Sequence, residues 1–439
     1  MSPRDRMINA FDPARADGLS PAAGDLIRRR AQAMGPMYRL LYAEPVEVAR
    51  ASGAEIWSPA GERYLDAYNN VPVLGHSHPA VAEAVAAQLG RYNTNTRYLE
   101  PMVVDYAERL LATFPGPLGH VMFTCSGSEA VDLSLRIARR RTGAQGIVVT
   151  RNAYHGNSLA TAALSPSSGP GVPLDPAVRV IPAPEDAPEV FLAALEAAIC
   201  DLQRHGFGLA AVLFDSVFSS DGLWLEPAGL LGRAAGIARA QGGLWIADEV
   251  QPGFGRMGHG LWGFDRHGVV PDLVALGKPM GNGLPVAAVV TRPEHVADFG
   301  REARYFNTFG GNPVCIAAAS AVLDTIVAEG LVDRARRVGD GLRAALEDLA
   351  LRHARVAAVR GAGLYLAVEF RDPETGVPDP DTTLAVIGDL RRRGILISGC
   401  GAAGNCLKIR PPLCFSAAQA EELSSAIDLA LGTLAPGGA

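Results

Sequence analysis

The chain has 439 residues, 48% of them apolar and 20% charged, which is enough for two or three domains around a large core. Its formal net charge of -6 gives no electrostatic case for binding nucleic acid or an acidic membrane surface. Six scattered cysteines (Cys125, Cys200, Cys315, Cys400, Cys406 and Cys414) form no Cys-x-x-Cys pair, which argues against zinc or disulfide frameworks and for free thiols in a reducing compartment.

Charges interrupt the first thirty residues at Arg4, Asp5, Arg6, Asp12 and Arg28 to Arg30, so no apolar stretch there resembles a signal peptide. No run elsewhere is long enough to span a membrane, and the expectation is a soluble, cytoplasmic enzyme. Residues 1 to about 35 are polar and punctuated by Pro and Gly, and read as an arm. From about 60 to 300, short apolar runs alternate with helix-like stretches. Gly146 to Thr150, Leu209 to Phe214, Leu244 to Ala247, Leu273 to Leu276 and Val286 to Val290 read as buried strands, and Pro227 to Gln241 as an amphipathic helix. This alternation predicts an α/β domain with a mostly parallel sheet. Beyond about 315 the texture changes. Cys315 to Glu329 and Val332 to Leu351 read as helices, followed by three strand-like runs at Leu364 to Phe370, Gly394 to Ser398 and Cys406 to Ile409. A helix over Ser416 to Leu434 closes the chain. The expected division is an N-terminal arm over 1–60 packing with the small domain, a large domain over 61–314 and a smaller α+β domain over 315–439.

The chemistry-bearing motifs follow the same order. Val121 to Cys125 runs into Ser126-Gly127-Ser128-Glu129-Ala130, after which Leu133 and Ile137 repeat at helical spacing and Arg139 to Arg141 with Gly143 close the helix. Free N–H groups at that helix start suit a phosphate, and a plain serine N-cap accounts for the same residues equally well. Tyr154-His155-Gly156 follows a strand; the tyrosine could stack on a flat cofactor, or the pair could be structural. Asp248 ends the Leu244 to Ala247 strand, the place where α/β sheets put their sites. A carboxylate there could keep a pyridine nitrogen protonated and the ring an electron sink. Gly253-Phe254-Gly255-Arg256-Met257-Gly258 matches G-x-G-x-x-G, but no helix opens on it, so a dinucleotide reading is rejected.

Of the 40 lysines and arginines only two are lysine, Lys278 and Lys408. A lysine retained against such a bias belongs where guanidinium cannot substitute, and only lysine can act as a nucleophilic amine. Lys278 lies among glycines after an apolar strand, in Gly277-Lys278-Pro279-Met280-Gly281-Asn282-Gly283. Asn307 to Pro313 form a polar turn in which Thr308 could donate to a phosphate or cap the turn.

Taken together, SGSEA, YHG, DEVQPGFGRMG, GKPMGNG and FNTFGGNP, in that order, resemble the class III aminotransferase family, pyridoxal-phosphate (PLP) enzymes of fold type I, from about Tyr64 to Phe415. The resemblance implies a large domain around a mostly parallel seven-stranded sheet. It implies that Lys278 carries the Schiff base and moves the proton, and that Asp248 pairs with the ring nitrogen. By the same resemblance Ser126, Gly127 and Ser128 hold the phosphate, Tyr154 and Val250 cover the two ring faces, and Gln251 lies near the ring hydroxyl. His155 and Asp215 complete the cofactor set, Asp215 as its second acid. Thr308 would reach the phosphate of a neighbouring subunit, which implies a homodimer with shared sites.

Two departures bear on the reaction. Many members hold a substrate carboxylate with an arginine three residues before a Pro-Pro pair, and that position here is Lys408. The glutamate on which dual-specificity members park the arginine is matched by Ser220. Lysine is a point charge rather than a planar fork, so a bidentate clamp is weakened. Arg410 shares the Lys408 face of its strand and could supply the fork; the two residues stay undecided. These departures, with Asn69-Asn70-Val71 and Asn93 to Arg97, resemble the phospho-lyase branch of the family, whose substrates are amino-alcohol phosphates. Lys408, Arg410 and Arg97 are then candidates for a second phosphate, with Asn70 beside the substrate. The first expectation is transfer of an amino group from an amine or ω-amino acid to a 2-oxo acid or aldehyde, slightly ahead of phosphate elimination. A non-catalytic PLP-binding protein is a remote third.

Overall fold

The computed structural model describes residues 7–13, 19–185 and 187–434. The expected N-terminal arm contains a helix, Pro21–Met34, capped by Ser20, whose Oγ accepts the Ala23 N–H at 3.2 Å. None of its residues is buried. An antiparallel meander follows, β1 (Arg50–Ser52), β2 (Glu55–Trp57) and β3 (Arg63–Asp66).

The centre is a seven-stranded sheet of β4 (His120–Thr124), β5 (Gly146–Thr150), β6 (Val178–Ile181), β7 (Leu209–Asp215), β8 (Leu244–Asp248), β9 (Leu273–Leu276) and β10 (Ala287–Thr291). The spatial order is β4-β10-β9-β8-β7-β5-β6, with β10 antiparallel to both neighbours and every other pairing parallel. Every residue of β5, β8, β9 and β10 is buried, which explains their unbroken apolar runs. β6 carries no clear strand signal in the sequence: it is an edge strand, and the polar Arg179 breaks its short apolar run.

Helices Pro313–Ala328 and Leu331–Arg352 lead into β11 (Val356–Ala362) and β12 (Tyr365–Phe370). The first packs on helices Pro79–Leu89 and Pro101–Leu111, the second on β11 and on the last helix, Ala417–Thr433. The stretch Gly394 to Ser398, expected as one strand, is divided. β13 (Ile395–Leu396) pairs in parallel with β3, while β14 (Ser398–Cys400) pairs with β15 (Cys406–Ile409). One short apolar run thus serves two sheets, which no periodicity within it can show. β11 was also missed, because only its first residue is buried and it lacks a clean alternation. The small sheet runs β11-β12-β15-β14, all antiparallel. Its register sets Ser398 and Ala367 opposite Lys408, and Cys400 and Glu369 opposite Cys406, so these six side chains share one face.

The glycine-rich loop after β8 forms the seam between the two regions. Arg256, fully buried, donates to the Leu364 carbonyl at 3.1 Å and to the Pro411 carbonyl, while its own carbonyl accepts the Leu364 N–H at 3.0 Å. A Cβ on Gly258 would lie 2.8 Å from the Arg336 backbone nitrogen, so the glycine lets helix Leu331–Arg352 sit against the loop. Packing, not nucleotide binding, accounts for this motif. Among the described residues no single helix is long and apolar enough to cross a membrane.

Candidate active site

The carboxyl ends of β7 and β8 carry Asp215 and Asp248, which are register partners. Asp248 is 5% exposed; its Oδ1 accepts the Val250 N–H at 3.0 Å and its Oδ2 lies 2.7 Å from His155 Nδ1. The carboxylate therefore orients a buried imidazole whose Nε2 has no protein partner. Burial, and then the charge of Asp248, pushes the Asp215 carboxyl upward.

Lys278 follows β9 with φ of +24°, a strained conformation for a residue with a side chain. Its amine has no hydrogen-bond or ion-pair partner among the described residues. Burial first, and then the Arg410 cation, lowers its pKa to about 8. A neutral amine is thus accessible near physiological pH, as a nucleophilic lysine requires.

The helix start at Gly127–Thr142 faces this amine's strand end. Ser126 caps it, its Oγ accepting the Glu129 N–H at 3.2 Å. Ser128 Oγ bonds the Asn157 side chain and accepts the Asn157 N–H at 3.1 Å, so its hydroxyl is already engaged. The first N–H groups of the helix remain for an anion. A Cβ on Gly127 would meet both Val250 methyls at 3.0 Å, and one on Gly277 would lie 3.2 Å from Gly127 Cα. This glycine-lined cradle leaves room for a phosphate where any side chain would intrude. Tyr154, 43% exposed, stands beside the buried His155 and offers an open aromatic face. The unpartnered Lys278 amine, the acid at the strand end and the cradle together fit pyridoxal phosphate. Its phosphate would be held at Ser126 to Ser128, its ring nitrogen at Asp248 and its aldehyde carbon at Lys278.

The tertiary structure separates the two cations that the sequence left undecided. Arg410 donates to Gln251 Oε1 and stacks on Tyr68, its guanidinium 4.3 Å from the ring centroid. Tyr365 also donates to Gln251 Oε1, at 3.2 Å. Gln251, expected beside the cofactor ring, is therefore a ligand of Arg410. Neither Tyr68 nor Tyr365 was singled out in the sequence, since each sits in an ordinary strand or turn pattern. Lys408, in contrast, is 6% exposed, lies 5.7 Å from the Tyr365 ring centroid and has no acceptor among the described residues. Burial, and then Arg410, lowers its pKa to about 8. Ser220 brings no carboxylate to the site, and its carbonyl binds the Gly401 N–H at 3.2 Å. The neighbouring Asp221 is occupied by Thr150 Oγ1 at 2.7 Å and the Asn152 N–H at 3.0 Å, and burial pushes it up to about 6. Asn70 is 1% exposed, and its Nδ2 has no partner among the described residues. Arg97 is not brought to Lys408 within the chain: it is exposed, 3.7 Å over the Phe306 ring, next to the exposed Thr308 loop.

A seven-stranded sheet with an acid and a lysine at its carboxyl edge, facing a glycine-tight helix start, defines a PLP enzyme of fold type I. The family profile described as Aminotransferase class-III matches residues 41–431, and the chain belongs to that family of PLP enzymes. It is similar to a Caenorhabditis elegans protein named ethanolamine-phosphate phospho-lyase homolog 1, with 36% identity over 93% of each chain. It is similar to a Drosophila melanogaster alanine–glyoxylate aminotransferase 2-like protein, with 38% identity over 91% of this chain and 85% of that one. Among solved structures it resembles a phospholyase from Arthrobacter in complex with phosphoethanolamine. That match has 43% identity and a TM-score of 0.91, covering 93% of this chain and all of that one.

Proposed function

We propose that this protein eliminates phosphate from an amino-alcohol phosphate, with O-phosphoethanolamine as the first substrate to test. The observation that carries the reading is Lys408: a buried cation with no hydrogen-bond acceptor among the described residues stands where a carboxylate-binding arginine would be, and Ser220 supplies no glutamate to pair with one. A doubly charged phosphate suits a point charge, whereas a carboxylate is better matched by a fork. The likeness to two phospho-lyases supports the same reading.

Bound PLP supplies an electron sink for the carbon bearing the amino group. Asp248, fixed by His155 and Val250, keeps the ring nitrogen cationic. The Lys278 amine, neutral above about pH 8, takes the proton from that carbon. The C–O bond at the next carbon breaks and its electron pair leaves with the phosphate, whose charge Lys408 offsets. Overall, one water is consumed and an aldehyde, ammonia and inorganic phosphate are released. In this reading Arg410 tunes Lys278 and shapes the pocket, and Asn70 offers a neutral donor to the substrate.

Amino-group transfer to a 2-oxo acid is the second reading, favoured by the likeness to the Drosophila aminotransferase-like protein. In both readings we take the active form as a homodimer: Thr308, Phe309 and Tyr98 are exposed in the single chain and would face a partner's site.

The test is PLP-loaded enzyme with O-phosphoethanolamine and no keto acid, following phosphate and cofactor absorbance. Many phosphates released per enzyme, with the cofactor spectrum restored between turnovers, supports elimination. No phosphate, together with conversion to the amine form of the cofactor that pyruvate reverses, establishes transfer instead. In Lys408→Ala, loss of a charged contact should raise KM for phosphoethanolamine about tenfold to a hundredfold.

A further inference from the structure

The N-terminal segment reaches the substrate side of the small sheet. The Asn9 carbonyl accepts the Tyr42 N–H at 2.8 Å, the Phe11 N–H donates to the Leu40 carbonyl at 2.9 Å, and Ala10 and Leu41 form an antiparallel bridge. Ile8 packs on the outer strand β14, where a Cβ on Gly399 would lie 2.9 Å from it. This anchoring carries the Asn9 side chain onto the other face of the strand, where Ser398 Oγ donates to Asn9 Oδ1 at 2.7 Å. Ser398 is the register partner of Lys408, so both point to the same side, and opposed Cβ atoms of this kind lie about 5 Å apart.

Asn9 is 6% exposed, and its Nδ2 is a buried donor without a partner among the described residues. Arg410 Nε, two residues beyond Lys408 and just past the end of β15, is a second such donor. Together with the Lys408 amine, which has no hydrogen-bond acceptor among the described residues, these are three donors left without one. Leaving one such group unmatched is costly, and an incoming anion removes that cost. A phosphate ester offers three free oxygens to three donors, where a carboxylate offers two.

We infer that Asn9 is a substrate-positioning residue whose side-chain amide donates to the phosphate group that Lys408 binds. The identity of the anion rests on the elimination reading above.

The test compares PLP-loaded wild-type protein with Asn9→Ala and Asn9→Asp. It measures KM and kcat for O-phosphoethanolamine, the Kd of inorganic phosphate by calorimetry, and the thermal midpoint. Loss of one hydrogen bond to a charged group predicts about a tenfold rise in KM and in phosphate Kd for Asn9→Ala, with kcat within about threefold. Asn9→Asp keeps the shape but replaces the donor with a negative charge, and should be worse than Asn9→Ala. Ser398→Ala, which frees the amide without touching the Asn9 backbone contacts, should raise KM about threefold. An Asn9→Asp protein that matches wild type overturns the inference. So does a lower thermal midpoint and kcat with KM and phosphate Kd unchanged, the mark of a tether alone. If wild type releases no phosphate from phosphoethanolamine while the Asn9 variants still weaken inorganic phosphate, the elimination reading fails and the anion subsite stands.

Discussion

Asp215 and Asp248 lie side by side at the ends of adjacent parallel strands, and their surroundings treat them differently. Asp248 accepts from His155 and the Val250 N–H, whereas Asp215 is pushed upward by burial and by Asp248 itself. Burial and the neighbouring charge disfavour ionisation of Asp215, while His155 and the Val250 N–H fix the orientation of Asp248. Asp248→Asn should lower kcat/KM by about a hundredfold or more, the scale of losing a preorganised charge. Asp215→Asn, which removes a carboxyl whose ionisation burial disfavours, should keep activity within about tenfold. Equal losses in the two variants, by steady-state kinetics, would refute this division.

The lowered pKa of Lys278 predicts how the apoprotein takes up PLP. The neutral amine is the reactive form, so the uptake rate should rise with pH around a midpoint of about 8 rather than near the ordinary lysine value. Arg410 disfavours the protonated amine, so Arg410→Met should move the midpoint upward. Asp248 favours it, so Asp248→Asn should move the midpoint downward. Stopped-flow absorbance across pH 6 to 10 reads these shifts, and Lys278→Ala should retain no cofactor after borohydride reduction.

The Gly127 cradle predicts a cofactor-specific defect. In Gly127→Ala the new methyl meets Val250 at 3.0 Å, at the helix start whose N–H groups would hold the phosphate. Overpacking of about 1–3 kcal/mol corresponds to a tenfold to hundredfold loss of PLP affinity. Adding Val250→Ala relieves the wall but not the phosphate side. Equilibrium titration with PLP should therefore show only partial recovery in the double variant. Full recovery would mean that Gly127 serves packing alone.

Two glycines of helix Leu331–Arg352 should respond oppositely to alanine. A Cβ at Gly339 would lie 2.0 Å from the Gly363 carbonyl, so Gly339→Ala should destabilise the protein by about 3 kcal/mol. Nothing lies within 4 Å of a Cβ at Gly341. There alanine should stabilise by about 0.5–1 kcal/mol through helix propensity. Thermal unfolding of the holoenzyme distinguishes them, and equal effects would contradict the packing of this helix on Gly363.

The parts of the site that were legible in advance are those built from neighbours in sequence. Ser126 with the helical repeat after it marks a helix start, Asp248 ends an unbroken apolar strand, and Lys278 stands out as one of two lysines. The division of Gly394 to Ser398 between two sheets was not legible, nor was the half-exposed β11. A strand's partner is not written in its own few residues. Asn9 escaped notice for the same reason, because its significance lies in a contact with Ser398, far along the chain.

The sequence by itself therefore determined the class of enzyme and its cofactor, since motif order carries them. Only the tertiary structure separated Lys408, in the strand that ends at Ile409, from Arg410 just past it. The two carry the same charge two residues apart, and nothing local distinguishes them. Gln251 and Tyr68 arrive from distant segments to hold Arg410, while Lys408 lies over the Tyr365 ring without a hydrogen-bond acceptor among the described residues. A buried charge is defined by what surrounds it, and that environment exists only once the chain has folded.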